Sequence, residues 1–87
     1  MIKILIFVDG NCLISKIEEV GSELGEPDCK LISPFVIKKS HDGLAPTLEP
    51  WMSEYTKQIE FMIHSDKILT IAEPTARLTE LYEDLTK

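Results

Sequence analysis

Residues 2–8 form an apolar run rich in β-branched side chains, interrupted only by Lys3, that stops at Asp9-Gly10. A short apolar run closed by a turn signal reads as a strand, and Asp-Gly is a strong two-residue hairpin turn because both residues tolerate positive φ. Over residues 11–20 the alternation is imperfect, with Leu13 and Ile17 on one face and Cys12, Ile14 and Val20 on the other. A second strand partly covered on both faces follows from that pattern. Residues 21–28 hold two glycines and a proline among acidic residues and read as a loop. A third strand is predicted over 29–38, where Pro34 removes a ladder donor and predicts a bulge, a bend or an edge.

Residues 39–49 read as an irregular surface excursion between Ser40-His41-Asp42-Gly43 and Pro50. A fourth strand is expected over 55–63, where Ile59, Phe61 and Ile63 alternate with polar or smaller-contact positions, and a fifth over 68–72. The polar tetrad His64, Ser65, Asp66 and Lys67 turns the chain between them. The period then changes: Leu78, Leu81, Tyr82 and Leu85 fall at i, i+3, i+4 and i+7, which predicts an amphipathic helix over about 74–86. Pro74 suits its first turn and Thr75 offers a capping hydroxyl.

Five short strands in hairpin order and one helix predict a mainly β protein, a small and strongly bent antiparallel barrel. Alternation places Leu5, Phe7, Leu13, Ile17, Leu31, Phe35, Phe61, Ile63, Leu69 and Ile71 on the buried face, and the apolar helix stripe across an open barrel end or a neighbouring copy. With 87 residues the chain makes one domain, 1–87, whose core is small enough that an extra source of stability is expected. Residues 59–63 and 68–72 carry few of the charges that protect sheet edges, so pairing between copies would close a head-to-tail ring.

At this point the residues resemble the Sm-like (LSm) family. Ile63-His64-Ser65-Asp66-Lys67-Ile68-Leu69-Thr70-Ile71 keeps the apolar frame and turn length of the family's second motif, with His64 and Ser65 in place of its Arg and Gly. Ile6-Phe7-Val8-Asp9-Gly10-Asn11 is similar to the first motif, and Asp28-Cys29-Lys30-Leu31 falls where the family places its base-reading Asn and the strand after it. The family's helix usually precedes the first strand, whereas here it follows the fifth, as in short phage-type Sm-like proteins. The resemblance implies a five-stranded, strongly bent antiparallel Sm-like (SH3-like) open barrel with a C-terminal helix, forming a homo-oligomeric ring of about five to seven protomers. It further implies weak binding of single-stranded RNA at the pore face through His64, Ser65, Asp66, Asp28 and Lys30, in the cytoplasm of a bacterial or phage-infected cell.

Charge bears on that expectation. Nine Lys and Arg against 15 Asp and Glu leave a net charge of -6, which opposes long-range attraction to phosphate backbones and anionic membranes. The alternative is an acidic ring that scaffolds protein assembly, with another protein docking on the helix or the acidic face. Lys38, Lys39 and His41 form the one local basic cluster, more readily a solvated loop than a phosphate site. Trp51 and Tyr55 either stack a base or cover a barrel end. Cys12, Cys29, His41 and His64 match no chelating spacing, so no metal or other cofactor is expected. Ser40-His41-Asp42 are three adjacent residues rather than a triad converging in space, and no catalytic residue is assigned. Neither a signal cleavage site nor an apolar stretch of about 18 residues occurs, so a membrane span is not expected.

Overall fold

A computed structural model describes residues 1–21, 23–39 and 46–87. It is mainly β: β1 (Ile2–Phe7), β2 (Cys12–Glu19), β3 (Cys29–Lys38), β4 (Thr47–Pro50), β5 (Glu60–Ile63) and β6 (Ile68–Ala72), followed by one helix, α1 (Ala76–Leu85). All the pairings are antiparallel, in the order β4-β3-β2-β1-β6, with β5 also on β3. The sheet has six strands among the described residues where five were expected. The cause lies in β3, whose ten residues outrun any single partner. Its first half pairs with β5 from Cys29↔Ile63 to Ile32↔Glu60, and its second half pairs with β4 from Phe35↔Pro50 to Lys38↔Thr47.

Between the two halves sits a break that Pro34 enforces. Pro34 has no N–H to give the ladder, and Ser33 takes a positive φ of 52°. The β2–β3 register slips there, one residue on β2 (Ser15) standing against two on β3 (Ser33 and Pro34). That slip reverses the faces. Leu31 and Val36 point into the cluster around Leu5, Leu13 and Cys29, whereas Phe35, expected beside them, is buried on the opposite face with Ile14 and Tyr82. The bulge is therefore why one member of the alternation-based core changes layer.

The expected strand over 55–63 is also shorter than its alternation suggested. Met52 C=O accepts the N–H groups of Tyr55 and Thr56, and Thr56 Oγ1 accepts the Gln58 N–H at 3.1 Å, so these residues are spent on a turn before β5 begins. On β6 a second slip, between Ile6 and Phe7 of β1, brings Ile68 onto the core cluster and turns Leu69 out. Leu69 is 68% and Ile71 54% exposed, so neither is a core residue as expected. Ile71 does stand opposite the buried Leu5, but on an edge strand with no covering layer among the described residues.

The β1–β2 link is longer than the two-residue turn expected of Asp9-Gly10. Gly10 N–H donates to Phe7 C=O and Phe7 N–H to Asn11 C=O, while Gly10 itself holds φ at +92°. Asp9 accepts from both the backbone and side-chain amides of Asn11, at 3.0 and 2.9 Å. Glycine is needed because an L side chain in this left-handed region costs about 1–2 kcal/mol.

Thr75 is the N-cap of α1, its Oγ1 accepting the Leu78 N–H at 3.2 Å, and Pro74 stands one residue before it rather than in the first turn. The helix lies on the Ile14–Phe35 side of the sheet, not over an open barrel end. Tyr82 is fully buried and meets the Phe35 ring edge-on at 5.7 Å, Leu78 is half-buried, and Leu81 and Leu85 stay partly exposed.

Tyr82 also repairs the break. Its hydroxyl reaches Ile32 C=O and Ser33 C=O, both at 2.9 Å, and accepts the Lys16 N–H at 3.1 Å. Ser15, the fully buried polar residue, adds a hydroxyl within 3.1 Å of Ile32 C=O and 2.9 Å of Lys16 C=O. These are the backbone groups that the slipped ladder leaves without partners. Tyr82→Phe keeps the ring and deletes the hydroxyl, so it should cost about 1–3 kcal/mol. In calorimetry that is a fall in Tm of roughly 4–8 °C per kcal/mol for a domain of this size. An unchanged Tm would mean that the helix is held by its apolar contacts alone.

Candidate functional site

Two of the five residues expected to form a site meet directly. The Asp28 carboxylate, just ahead of β3, accepts the Ser65 backbone N–H at 2.7 Å and the Ser65 Oγ–H at 2.6 Å. Ser65 opens a one-turn 3-10 helix, Ser65–Lys67, that joins β5 to β6. The bidentate contact ties the end of the β2–β3 loop to the β5–β6 turn across 37 residues of sequence. The two hydrogen bonds from Ser65 hold the Asp28 carboxyl below its usual range, with the nearby His64 favouring the same ionised form. An acceptor with both oxygens engaged by a neighbouring serine has less capacity left to read a base.

Lys30 is likewise engaged. Alternation along β3 sends Cys29 inward and Lys30 outward, where its ammonium meets the Glu60 carboxylate at 2.8 Å and its pKa is raised by that hydrogen bond and charge. His64 follows β5 and precedes Ser65. It lines a different cleft, of 420 Å³, with Phe7, Trp51, Ile63 and Lys67, whereas Ser65 and Asp28 line a depression of 340 Å³ with Cys29 and Ile71. Asp66 stands exposed in the turn between them. The structure thus couples Asp28 with Ser65, while the neighbouring His64 lines a separate cleft.

Of the aromatic pair, Trp51 packs edge-on between Phe7 and Phe61, with centroids at 6.3 and 5.2 Å, and covers the core cluster. Tyr55 is 82% exposed and belongs to neither core cluster. Cys12 and Cys29 are free thiols, Cys29 in the core, and burial pushes both thiols up. Lys38 is paired with Glu49 at 2.8 Å. Ser40, His41 and Asp42 lie outside the described residues, and with them the basic cluster and the four-donor set that included His41. Sequence reasoning missed the Ser15–Tyr82 pair. Its one sequence signal is a tyrosine on the apolar stripe of the helix, where a purely hydrophobic contact needs no hydroxyl.

Fold and side chains together define a small mainly β domain with a helix on one sheet face and a surface dominated by carboxylates. The chain belongs to a family of unknown function (DUF6561), whose model matches residues 1–87. No curated protein matches it. Among the described residues no helix is long and apolar enough to cross a membrane.

A carboxyl whose folded pKa is depressed contributes stability above its unfolded pKa, and that contribution is lost as pH falls through the folded value. Asp28→Asn should therefore lower the Tm at pH 7, and the gap to wild type should close as the pH drops below the ordinary carboxylate value of about 3.9. A gap that stays constant with pH would show that the carboxylate charge plays no part in the contact.

Proposed function

We propose that the chain is an Sm-like small barrel that assembles with copies of itself through two open strand edges, serving as an acidic scaffold for protein assembly. One observation carries this reading: β5 bonds only to β3 and β6 only to β1 among the described residues, and the four residues His64 to Lys67 join the two. Each strand therefore presents a second, unpaired edge. The curled path β5-β3-β2-β1-β6 with that turn is the connectivity expected of an open barrel.

The side chains next to these edges support the same reading. Met62 on β5 and Leu69 and Ile71 on β6 are each half-exposed or more, and Ile59 precedes β5 in the same condition. No charged residue occurs in β6, and the single charge on β5, Glu60, is turned to Lys30. Unprotected apolar edges recruit other strands, and an isologous or head-to-tail contact between copies is the outcome that removes them from water. Covering the exposed half or more of each such side chain is worth on the order of 1 kcal/mol.

RNA binding draws less support. Asp28 is taken by Ser65 and Lys30 by Glu60, and every added copy brings a further -6 of charge. A scaffold is better served by that charge, since it keeps assembled copies soluble and leaves contact to short-range recognition.

Native mass spectrometry with size-exclusion chromatography tests assembly. Wild type should run as an oligomer of about five to seven copies. The double variant Leu69→Lys with Ile71→Lys, both at exposed positions, should run as a folded monomer with its circular dichroism retained. A monomeric wild type, or an oligomer indifferent to both substitutions, removes the edge-pairing reading. A uridine-rich oligonucleotide that binds at about 50 mM salt and is released at about 200 mM would restore RNA as the ligand.

A further inference from the structure

A groove lined by apolar and basic side chains lies away from the Asp28–Ser65 contact. It runs between the β3 break, the turn after β4, the segment leading into β5 and the end of α1, and measures 380 Å³. Its apolar surface comes from Pro34, Trp51, Ile59 and Leu85, of which Ile59 is 60% exposed. Hydroxyls of Ser53 and Thr56 stand along the rim.

The groove is locally basic against the net charge of the chain. On a chain of net charge -6, the charged side chains lining it are Lys57 and Lys87, and no carboxylate side chain lines it. Lys87 shares its ammonium with Asp84 on the exposed helix end at 3.2 Å, while Lys57 has no ion-pair partner among the described residues. A second feature falls in the same place. Ser33, at a positive φ of 52°, lines the groove, and Met52, at 62°, sits in the turn between its lining residues Trp51 and Ser53. Left-handed backbone at non-glycine residues is costly and concentrates where a surface is shaped for a partner.

We propose that this groove binds an extended peptide segment of a partner protein that carries carboxylates beside apolar side chains. The volume suits a few residues and excludes a folded domain. Apolar side chains of the peptide would lie on Pro34, Trp51 and Ile59, and a carboxylate would meet Lys57, the complementary pairing that fixes orientation. Long polyanions are opposed by the net charge of the whole chain, whereas a short peptide with two or three carboxylates meets mainly the local field. The inference goes beyond edge pairing and does not depend on it, because the groove lies within one chain.

Trp51 is the only tryptophan and lines the groove, so its emission reports occupancy. The probe is an N-acetylated octapeptide of alternating aspartate and leucine, with the lysine–leucine peptide and a uridine-rich octanucleotide as comparisons. The aspartate peptide should shift the Trp51 emission saturably, and Lys57→Glu, at an exposed position, should weaken it at least about fivefold with circular dichroism unchanged. Lys57→Gln should fall between. Four results overturn the proposal: no saturable shift, equal binding of the lysine–leucine peptide, a shift indifferent to both Lys57 variants, or an oligonucleotide shift as strong and as sensitive to Lys57. A Trp51 shift that follows protein concentration without any peptide would assign the groove to a second copy instead. Oligomeric state, measured on the same samples, separates failure of this site from failure of the edges.

Discussion

The break in the β2–β3 ladder is the constraint on which the rest of this small structure depends. A proline in the middle of a ten-residue strand cannot donate to its neighbour, and the chain answers by slipping register around Ser33 and Pro34. The slip strands Lys16 N–H and the carbonyls of Ile32 and Ser33 in a buried layer. Two hydroxyls meet them, one from Ser15 within the sheet and one from Tyr82 on the helix. Among the described residues no buried side-chain polar atom is left without a partner. The helix is thus joined to the sheet by polar bonds at the one place where the sheet is incomplete, as well as by the apolar contacts of Phe35 and Leu78.

That same break divides the outer edge of β3 between two short partners. A straight β3 could carry one long neighbour and present one long edge. Bent, it holds β4 on one half and β5 on the other, and the chain between them forms the turn that brings Trp51 onto the core between Phe7 and Phe61. Both the groove beside Pro34 and the short β5 with its unpaired side descend from this arrangement. The assembly and peptide-binding roles proposed for them therefore share a structural origin and meet at Ile59, which lines the groove and precedes β5.

Electrostatics works locally against a uniformly acidic background. Lys3, Lys30 and Lys38 are each drawn to a glutamate on a neighbouring strand or just after one, which spends cations inside the sheet rather than on a phosphate-binding face. Asp28 is used in the opposite sense, as an acceptor that fixes the β5–β6 turn through Ser65. Exposed ion pairs of this kind add little stability, but they decide which charges remain available to a ligand. Lys57, lining a groove with no carboxylate side chain, is a cation that they leave over.

Local chemistry was legible in the sequence where it alone decides structure. The third strand and the last one end where their apolar runs end, Thr75 caps the helix as its hydroxyl predicts, and Pro34 announced a bulge. Asp28 and Ser65 fall in separate motifs of the sequence, and the fold brings them into contact. What the tertiary structure decided is which face each residue serves once a ladder slips. Phe35 and Val36 exchange layers, Ile68 replaces Leu69 against the core, and residues 55–58 leave the strand their alternation suggested. Alternation has a period of two, so a single unpaired residue inverts everything beyond it, and where that residue falls depends on the partner strand and on which distant hydroxyl can satisfy the freed backbone. Tyr82 lies 49 residues from Ser33, and only the folded chain brings them together.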